Sequence, residues 1–459
     1  GAEPVNVESG GTVRDPADNS PQPMPDTESV TRRPPGPDEP VALGIDPETL
    51  ATLTGLRDRY GDMVSMTTPG GREAWFVNDP AEVRRILVRR HTKYHKGPGF
   101  ERVKMLLGNG LIVSDGDVWR RSRTMIQPAF KVQNVHRLIS VMVDCTAHRE
   151  REWRQAAEAG EPINITSQTS DFALELILRC IFGSDYETEL AADGDNPFDF
   201  LSKDSTRDLG VVMKVRELRK RLLALIAARR ARDEDTFDFL SMYLQATDKQ
   251  GVPFSDGELL DELMTLIVAG FETSANTLNW VWYLLAGHPD VERRMIEEAQ
   301  ACLAPGGVPT PEQTTAMTWT QQVLEETLRL YPPVWLYTRR SIADDELEDY
   351  DVEPGTDIYL SPYILHRTGR HWPDPDRFDP ERFATDGTAR KERPYFPFSL
   401  GPRRCLGEYF SFLEMKIHLG LLLPKFHLRR VSEEEPGLEL GINLRSARDI
   451  LLQPELRQA

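Results

Sequence analysis

Phe398-Ser-Leu-Gly401-Pro-Arg403-Arg-Cys405-Leu-Gly407 decides the reading of this chain. Phe, Gly, Arg and Cys stand at fixed spacing, F-x-x-G-x-R-x-C-x-G, a coincidence chance rarely supplies. A free cysteine is ordinarily a small buried apolar residue. One held on a turn bracketed by Gly401 and Gly407 is suited instead to ligate a haem iron through its thiolate. The two glycines let the backbone approach the porphyrin where a Cβ would hinder it. Backbone N–H groups of the turn can donate to the sulfur and tune its electron release. Phe398 opens the loop, Arg403 supplies a cation where a haem propionate would lie, and Glu408–Leu422 reads as a helix on the proximal side.

Outward from this loop, composition sets limits. The 459 residues are 39% hydrophobic, enough for a large core. With 73 acidic against 55 basic residues the net charge is −18, which argues against nucleic acid and against a basic membrane-surface role. Cys145, Cys180, Cys302 and Cys405 lie too far apart for a zinc site, and so few in so long a chain point to a reducing compartment. No apolar run reaches the roughly 18 residues of a membrane span, and the polar, acidic N-terminal stretch does not read as a secretory leader. The expectation is a cytoplasmic monomer with no membrane partner.

Residues 1–40, rich in Pro, Asp and Ser, read as disordered and then extended, ahead of a single domain over 41–459 whose folded part begins near Ile45. A helix is predicted over Asp46–Tyr60, and paired strands over Met63–Thr67 and Ala74–Val77. Helices then dominate to about residue 330, and short strands with Pro- and Asp-rich loops follow. The longest helix should start at the capping box Ser255-Asp-Gly-Glu258 and end at Gly287, before His288-Pro289. Its apolar residues crowd most of the circumference, so it should be central and buried.

The middle of that helix reads Ala269-Gly270-Phe271-Glu272-Thr273-Ser274. An acid followed by an alcohol is costly in a buried helix unless each finds partners. Thr273 bonding back to a carbonyl beside Gly270 would open a kink over a haem, and Glu272 and Thr273 could then relay protons. Glu326-Thr-Leu-Arg329 pairs opposite charges at i, i+3. Set before Leu330-Tyr-Pro-Pro333 and upstream of Pro380-Glu-Arg382-Phe383, it reads as a buried scaffold network of Glu326, Arg329 and Arg382. Trp119 and Arg123, one turn apart in Trp119-Arg-Arg-Ser-Arg123, can face one carboxylate, and Arg340 is a similar site. His366 and His371 read as structural.

In this order along the chain, Trp119/Arg123, Ala269–Ser274, Glu326/Arg329, Pro380–Phe383 and the Cys405 loop resemble the cytochrome P450 superfamily over roughly residues 35 to 455. The resemblance implies a mainly α fold with a smaller β portion, a triangular prism with haem b between distal and proximal helices. It implies a monooxygenase cycle with Cys405 as axial ligand and Glu272 and Thr273 as the acid–alcohol pair. Ala269, Phe398 and Gly407 would border the cofactor, and Trp119, Arg123, Arg340 and Arg403 would hold its propionates. Lacking an anchor, the chain is similar to soluble bacterial members, and electrons would come from NAD(P)H through a separate ferredoxin reductase and ferredoxin. An acidic ferredoxin would dock on Arg120, Arg121, Arg404 and Lys416. One departure is the roof of the pocket: Gly183 and the helix near Val215–Arg232 are separated by only about 31 residues.

Phe100, Leu106, Leu107, Ile112, Val268, Val334, Trp335 and Leu336 are expected to wall an apolar pocket. They suit a mid-sized hydrophobic substrate of secondary metabolism, oxidised with dioxygen by hydroxylation or oxidative coupling. A peroxygenase or hydroperoxide isomerase on the same fold is the alternative, though those family versions usually lack the acid–alcohol pair. A haem sensor without turnover is the other alternative, and it has no use for proton-relay residues.

Overall fold

Ser255 starts the longest helix by capping it. Its hydroxyl accepts from the Glu258 N–H at 3.2 Å, and the Glu258 carboxylate accepts from the Ser255 N–H at 2.9 Å. The computed structural model describes residues 31–190, 197–200, 209–232, 236–384 and 394–458. Nine helices carry the argument: α1 Pro47–Tyr60, α2 Phe100–Leu107, α3 Gly116–Ile126, α4 Ile139–Ala159, α5 Ile165–Phe182, α6 Leu209–Ala231, α7 Asp256–Ala286, α8 Thr318–Leu330 and α9 Glu408–Leu422. The 31 residues of α7 span about 46 Å at 1.5 Å per residue.

α7 is buried because its neighbours surround it. Gly270 faces α5, where an added Cβ would fall 2.6 Å from the Ile177 side chain, so this glycine sets how closely the two helices pack. The helix runs unbroken through Gly270. On the side of α9, the Ser274 and Ser411 hydroxyls meet at 2.8 Å and Glu414 joins them. Burial pushes the Glu414 carboxyl well above the usual range, so a neutral acid fits this enclosed triad. Trp282 donates to His418 at 3.0 Å nearby, inside a box of Trp153 and Phe172.

A five-stranded sheet flanks the helices. With β1 Met63–Thr67, β2 Glu73–Val77, β3 Tyr94–Lys96, β4 Tyr337–Ser341 and β5 Asp357–Leu360, its order is β1-β2-β5-β4-β3. β2 and β5 run parallel and the other pairs antiparallel. The register pairs Lys96 with Arg339 and His95 with Arg340. Because faces alternate along a strand, Arg339 and Arg340 point to opposite sides.

The packed chain begins earlier than Ile45. Pro34 is buried, the Ser65 N–H donates to the Pro35 carbonyl at 3.0 Å, and Asp351 exchanges bonds with Arg32, so the extended segment lies along β1. Residues 1–30, expected to be disordered, lie outside the described residues. The helix expected near Val215–Arg232 starts at Leu209, leaving 25 residues after Gly183, partly outside the described set, for the pocket roof.

Candidate active site

Cys405 sits on an accessible turn walled by buried residues. Its N–H donates to the Phe398 carbonyl at 2.9 Å, and Arg404 N–H donates to Gly401 at 3.0 Å, closing the loop. Burial pushes the Cys405 thiol up, and the Gly407 N–H and the charges of Arg123 and Arg404 oppose that shift. Phe398 packs edge-on to Phe412 of α9, fixing the loop to the helix that follows. Gly401 has φ +69°, and an added Cβ would meet the Leu87 carbonyl at 2.4 Å, so the turn against segment 85–89 itself requires glycine here.

Cations gather beside this loop. Arg403 donates to Ser114 O at 2.9 Å, pairs with Asp115 at 2.6 Å and lies 4.4 Å from the centre of the Trp119 ring. Arg123 reaches across to donate to Arg404 O at 2.9 Å. The Trp119 indole N–H has no protein acceptor among the described residues and can serve a ligand. Arg340, expected in this group, turns away and pairs with Asp357 at 2.6 Å. Arg339 takes its place. It is 5% exposed and donates only to its neighbour Thr338 O, and burial, then Arg403, pull its guanidinium down to about 10. Opposite it on β3, burial pushes the Lys96 ammonium well below its ordinary value, with Arg339 and Arg403 adding to the shift. Lys96, Trp119, Arg339 and Arg403 line a cavity of about 340 Å³. Like charges facing across a ladder repel, so this cluster fits an anionic ligand placed between them. Nothing in the motifs points to Lys96 or Arg339; only strand register brings them together.

α7 opens on one side. Val268 and Gly270 are half-buried, Ala269 is exposed and Thr273, one turn on, is half-buried in an otherwise enclosed helix. The Thr273 hydroxyl has no protein partner among the described residues. Glu272 is buried and ion-paired with Arg445, on the hairpin Leu438–Leu440/Leu444–Ser446, and Asn276 donates to it at 3.3 Å. Burial raises the Glu272 carboxyl and Arg445 draws it back. Arg445 had no signal in the sequence, since its hairpin is more than 170 residues away.

The expected charge network is present. Glu326 accepts from Arg329 Nε at 2.8 Å and lies 3.4 Å from Arg382 Nε. Arg329 also donates to the carbonyls of His366, Pro375 and Arg377. His366 is structural, as its residue context suggests. Its Nδ1 lies 3.2 Å from Arg329 O, its Nε2 accepts the Phe396 N–H at 3.1 Å, and burial pulls it down to about 3. A neutral ring thus ties the network to the segment entering the Cys405 loop.

The remaining expected residues fall in several settings. Trp335 donates to Gly441 O at 2.9 Å inside a core with Trp280, and Leu336 packs on that core, so neither walls the cavity. Leu106 and Leu107 join the helical core, while Phe100, Ile112 and Val334 are half-buried outside it. The basic patch is largely neutralised. Arg121 pairs with Asp248 at 3.0 Å and Glu258 at 2.7 Å, Arg120 pairs with Asp117, and Arg404 pairs with Glu408 at 2.7 Å. Arg121 therefore anchors α3 to the start of α7.

An accessible cysteine on a tight turn, enclosed cations on one side and a helix opened at an alcohol are the features a haem-thiolate site requires. The residues fit a planar dicarboxylate cofactor held from one edge. Residues 42–455 match the family profile described as Cytochrome P450, and the chain belongs to that family, an oxidoreductase family whose cofactor is haem b. It is 32% identical to cyclooctat-9-en-7-ol 5-monooxygenase of Streptomyces melanosporofaciens, over 83% of this chain and 84% of that one. It is 28% identical to pentalenene oxygenase of Streptomyces avermitilis, over 80% and 84% of the two chains. Its fold superposes on a retinoic acid bound cyanobacterial CYP120A1 with TM-score 0.82 at 23% identity, covering 93% of this chain and all of the other. The architecture is therefore the cytochrome P450 fold, and no helix among the described residues is long and apolar enough to cross a membrane.

The register makes a prediction. Arg339→Leu should speed haem loss to an acceptor apoprotein about tenfold or more, the scale of a lost charge-assisted bond. Arg340→Leu should leave the rate unchanged.

Proposed function

We propose that this chain is a dioxygen-dependent monooxygenase that hydroxylates a largely hydrocarbon, terpenoid-sized molecule, using electrons from a separate ferredoxin and its NAD(P)H-dependent reductase. The observation that carries the oxidative half of this reading is the Thr273 hydroxyl, which has no protein partner among the described residues and stands beside an opening in a buried helix. The relatives' names, a cyclooctatenol monooxygenase and a pentalenene oxygenase, support the substrate class. So does the half-buried apolar set of Phe100, Ile112, Val268 and Val334.

Haem, when bound to a thiolate, supplies the activation of dioxygen. Cys405 would hold the iron from its turn, with the Gly407 N–H on the sulfur moderating its charge. Arg339, Arg403, Lys96 and Trp119 would hold the carboxylates of the group. Thr273 Oγ1 orders a water or donates at the opening in α7. Glu272, whose partner Arg445 reaches solvent, exchanges protons with bulk water and resupplies that hydroxyl. Glu326, Arg329 and His366 position the Cys405 loop and take no part in the chemistry.

Thr273→Ala should retain haem and the substrate-induced spin shift. Product formed per NAD(P)H consumed should fall about tenfold or more, with the balance appearing as peroxide. An unchanged ratio would remove Thr273 from the relay. A chain that turns over with peroxide alone, and gains nothing from NAD(P)H and a surrogate reductase, would be the peroxygenase instead.

A further inference from the structure

The net charge of −18 is not spread evenly. α6 carries seven Lys and Arg against Glu217 alone, a net of +6 on 23 residues. Part of this is structural. Arg229 is buried between Asp185 and Asp238, Arg219 pairs with Asp261 at 2.6 Å, and Arg230 pairs with Asp256 at 3.1 Å. Arg216 and Lys220 are different: both are exposed and neither has a partner among the described residues.

These two cations share one helix face with apolar side chains. Met213, Arg216, Lys220 and Leu223 follow at spacings of three, four and three, which is a single stripe. Met213 is 62% exposed and Leu223 is 40%, and Val212 stands beside Met213 at 39%. The stripe does not end with α6. Met105 on α2 is 79% exposed, with Arg102 and Lys104 exposed around it. Asp261 binds both helices together, accepting the Asn109 N–H just past α2 at 3.1 Å and the Arg219 guanidinium at 2.6 Å. The two sets of exposed methionines and cations therefore lie on one edge of the molecule, beside α7.

We propose that this edge, the outer face of α6 with the Met105 end of α2, docks on a lipid bilayer containing anionic lipid. The alternation is what favours lipid over an acidic protein. Protein interfaces have a contiguous apolar core depleted in Lys, whereas here Arg216 and Lys220 stand between the Val212–Met213 pair and Leu223, and Arg102 and Lys104 flank Met105. A headgroup layer accepts that pattern, since Met and Val tips pass below the phosphates while Arg and Lys stay at their level. The whole-chain charge argues against membrane contact, and its distribution reverses that reading on this one face. The acidic remainder of the surface would be repelled, so docking is oriented with α6 toward the lipid.

The test uses the full haem-loaded chain and sedimentation with vesicles of phosphatidylcholine alone, or of phosphatidylcholine and phosphatidylglycerol in equal parts. The wild type should bind the mixed vesicles, ignore the neutral ones and release as salt rises. Each cation near an anionic surface is worth about a fivefold factor, so Arg216→Gln with Lys220→Gln should weaken binding about 30-fold. Met105→Gln with Met213→Gln should weaken it severalfold and abolish the fraction that resists salt. None of these residues touches the haem site, so haem content and the carbon monoxide spectrum should stay as in wild type. Equal binding to both vesicle types, no binding, or binding unmoved by the Arg216 and Lys220 changes would overturn the proposal. Binding to polyglutamate with no binding to mixed vesicles would overturn it in favour of an acidic protein.

Discussion

Replacing Cys405 with alanine should abolish the thiolate complex and all turnover, the largest single effect expected in this chain. The reduced, carbon monoxide-treated protein should lose its red-shifted Soret band. Cys145 and Cys180 are buried in the helical core, and burial pushes both thiols well up, which suits inert packing. Cys302 is half-buried at the end of a helix outside the cavity. Alanine at any of these three should keep the band. Retention of the band in Cys405→Ala would mean that another group ligates the iron.

Glu326→Leu should cost about 3–5 kcal/mol, a large share of the roughly 5–15 kcal/mol that holds a domain together. The reason is asymmetry. The side chains of Arg329 and Arg382 are both buried against this carboxylate, and removing it leaves Arg329 a fully buried cation with no acid beside it among the described residues. Their carbonyl acceptors on the loop 366–377 remain, but carbonyls do not neutralise charge. The measurement is the urea midpoint at constant slope, read alongside haem content. Because His366 couples Arg329 to Phe396, haem content should fall together with stability. A midpoint shift worth less than about 1 kcal/mol would show that the network is dispensable.

What the sequence made legible was whatever depends on spacing along the chain. The Cys405 turn, the capping box at Ser255 and the Glu326/Arg329 pair are local patterns, and each stands where its spacing implies. What escaped depends on which face a residue takes. Arg339 and Arg340 are adjacent and chemically identical, and only the pairing of β4 with β3 and β5 decides which one enters the cavity. Trp335 reads as a pocket wall by composition, yet its indole is taken up by a carbonyl of the C-terminal hairpin region. Arg445 on Glu272 and the two acids on Arg121 are contacts across more than a hundred residues, which no local pattern encodes.

The most direct test of the account is the fate of labelled dioxygen. The haem-loaded wild type, supplied with NAD(P)H, a surrogate ferredoxin and its reductase, would be offered a panel of sesquiterpene and diterpene hydrocarbons under isotopically labelled dioxygen. The account predicts a hydroxylated product carrying one labelled oxygen atom, the other appearing in water, with turnover lost in Cys405→Ala. Product labelled only from water or from added peroxide, or a haem protein that binds these hydrocarbons and consumes no dioxygen, would contradict it.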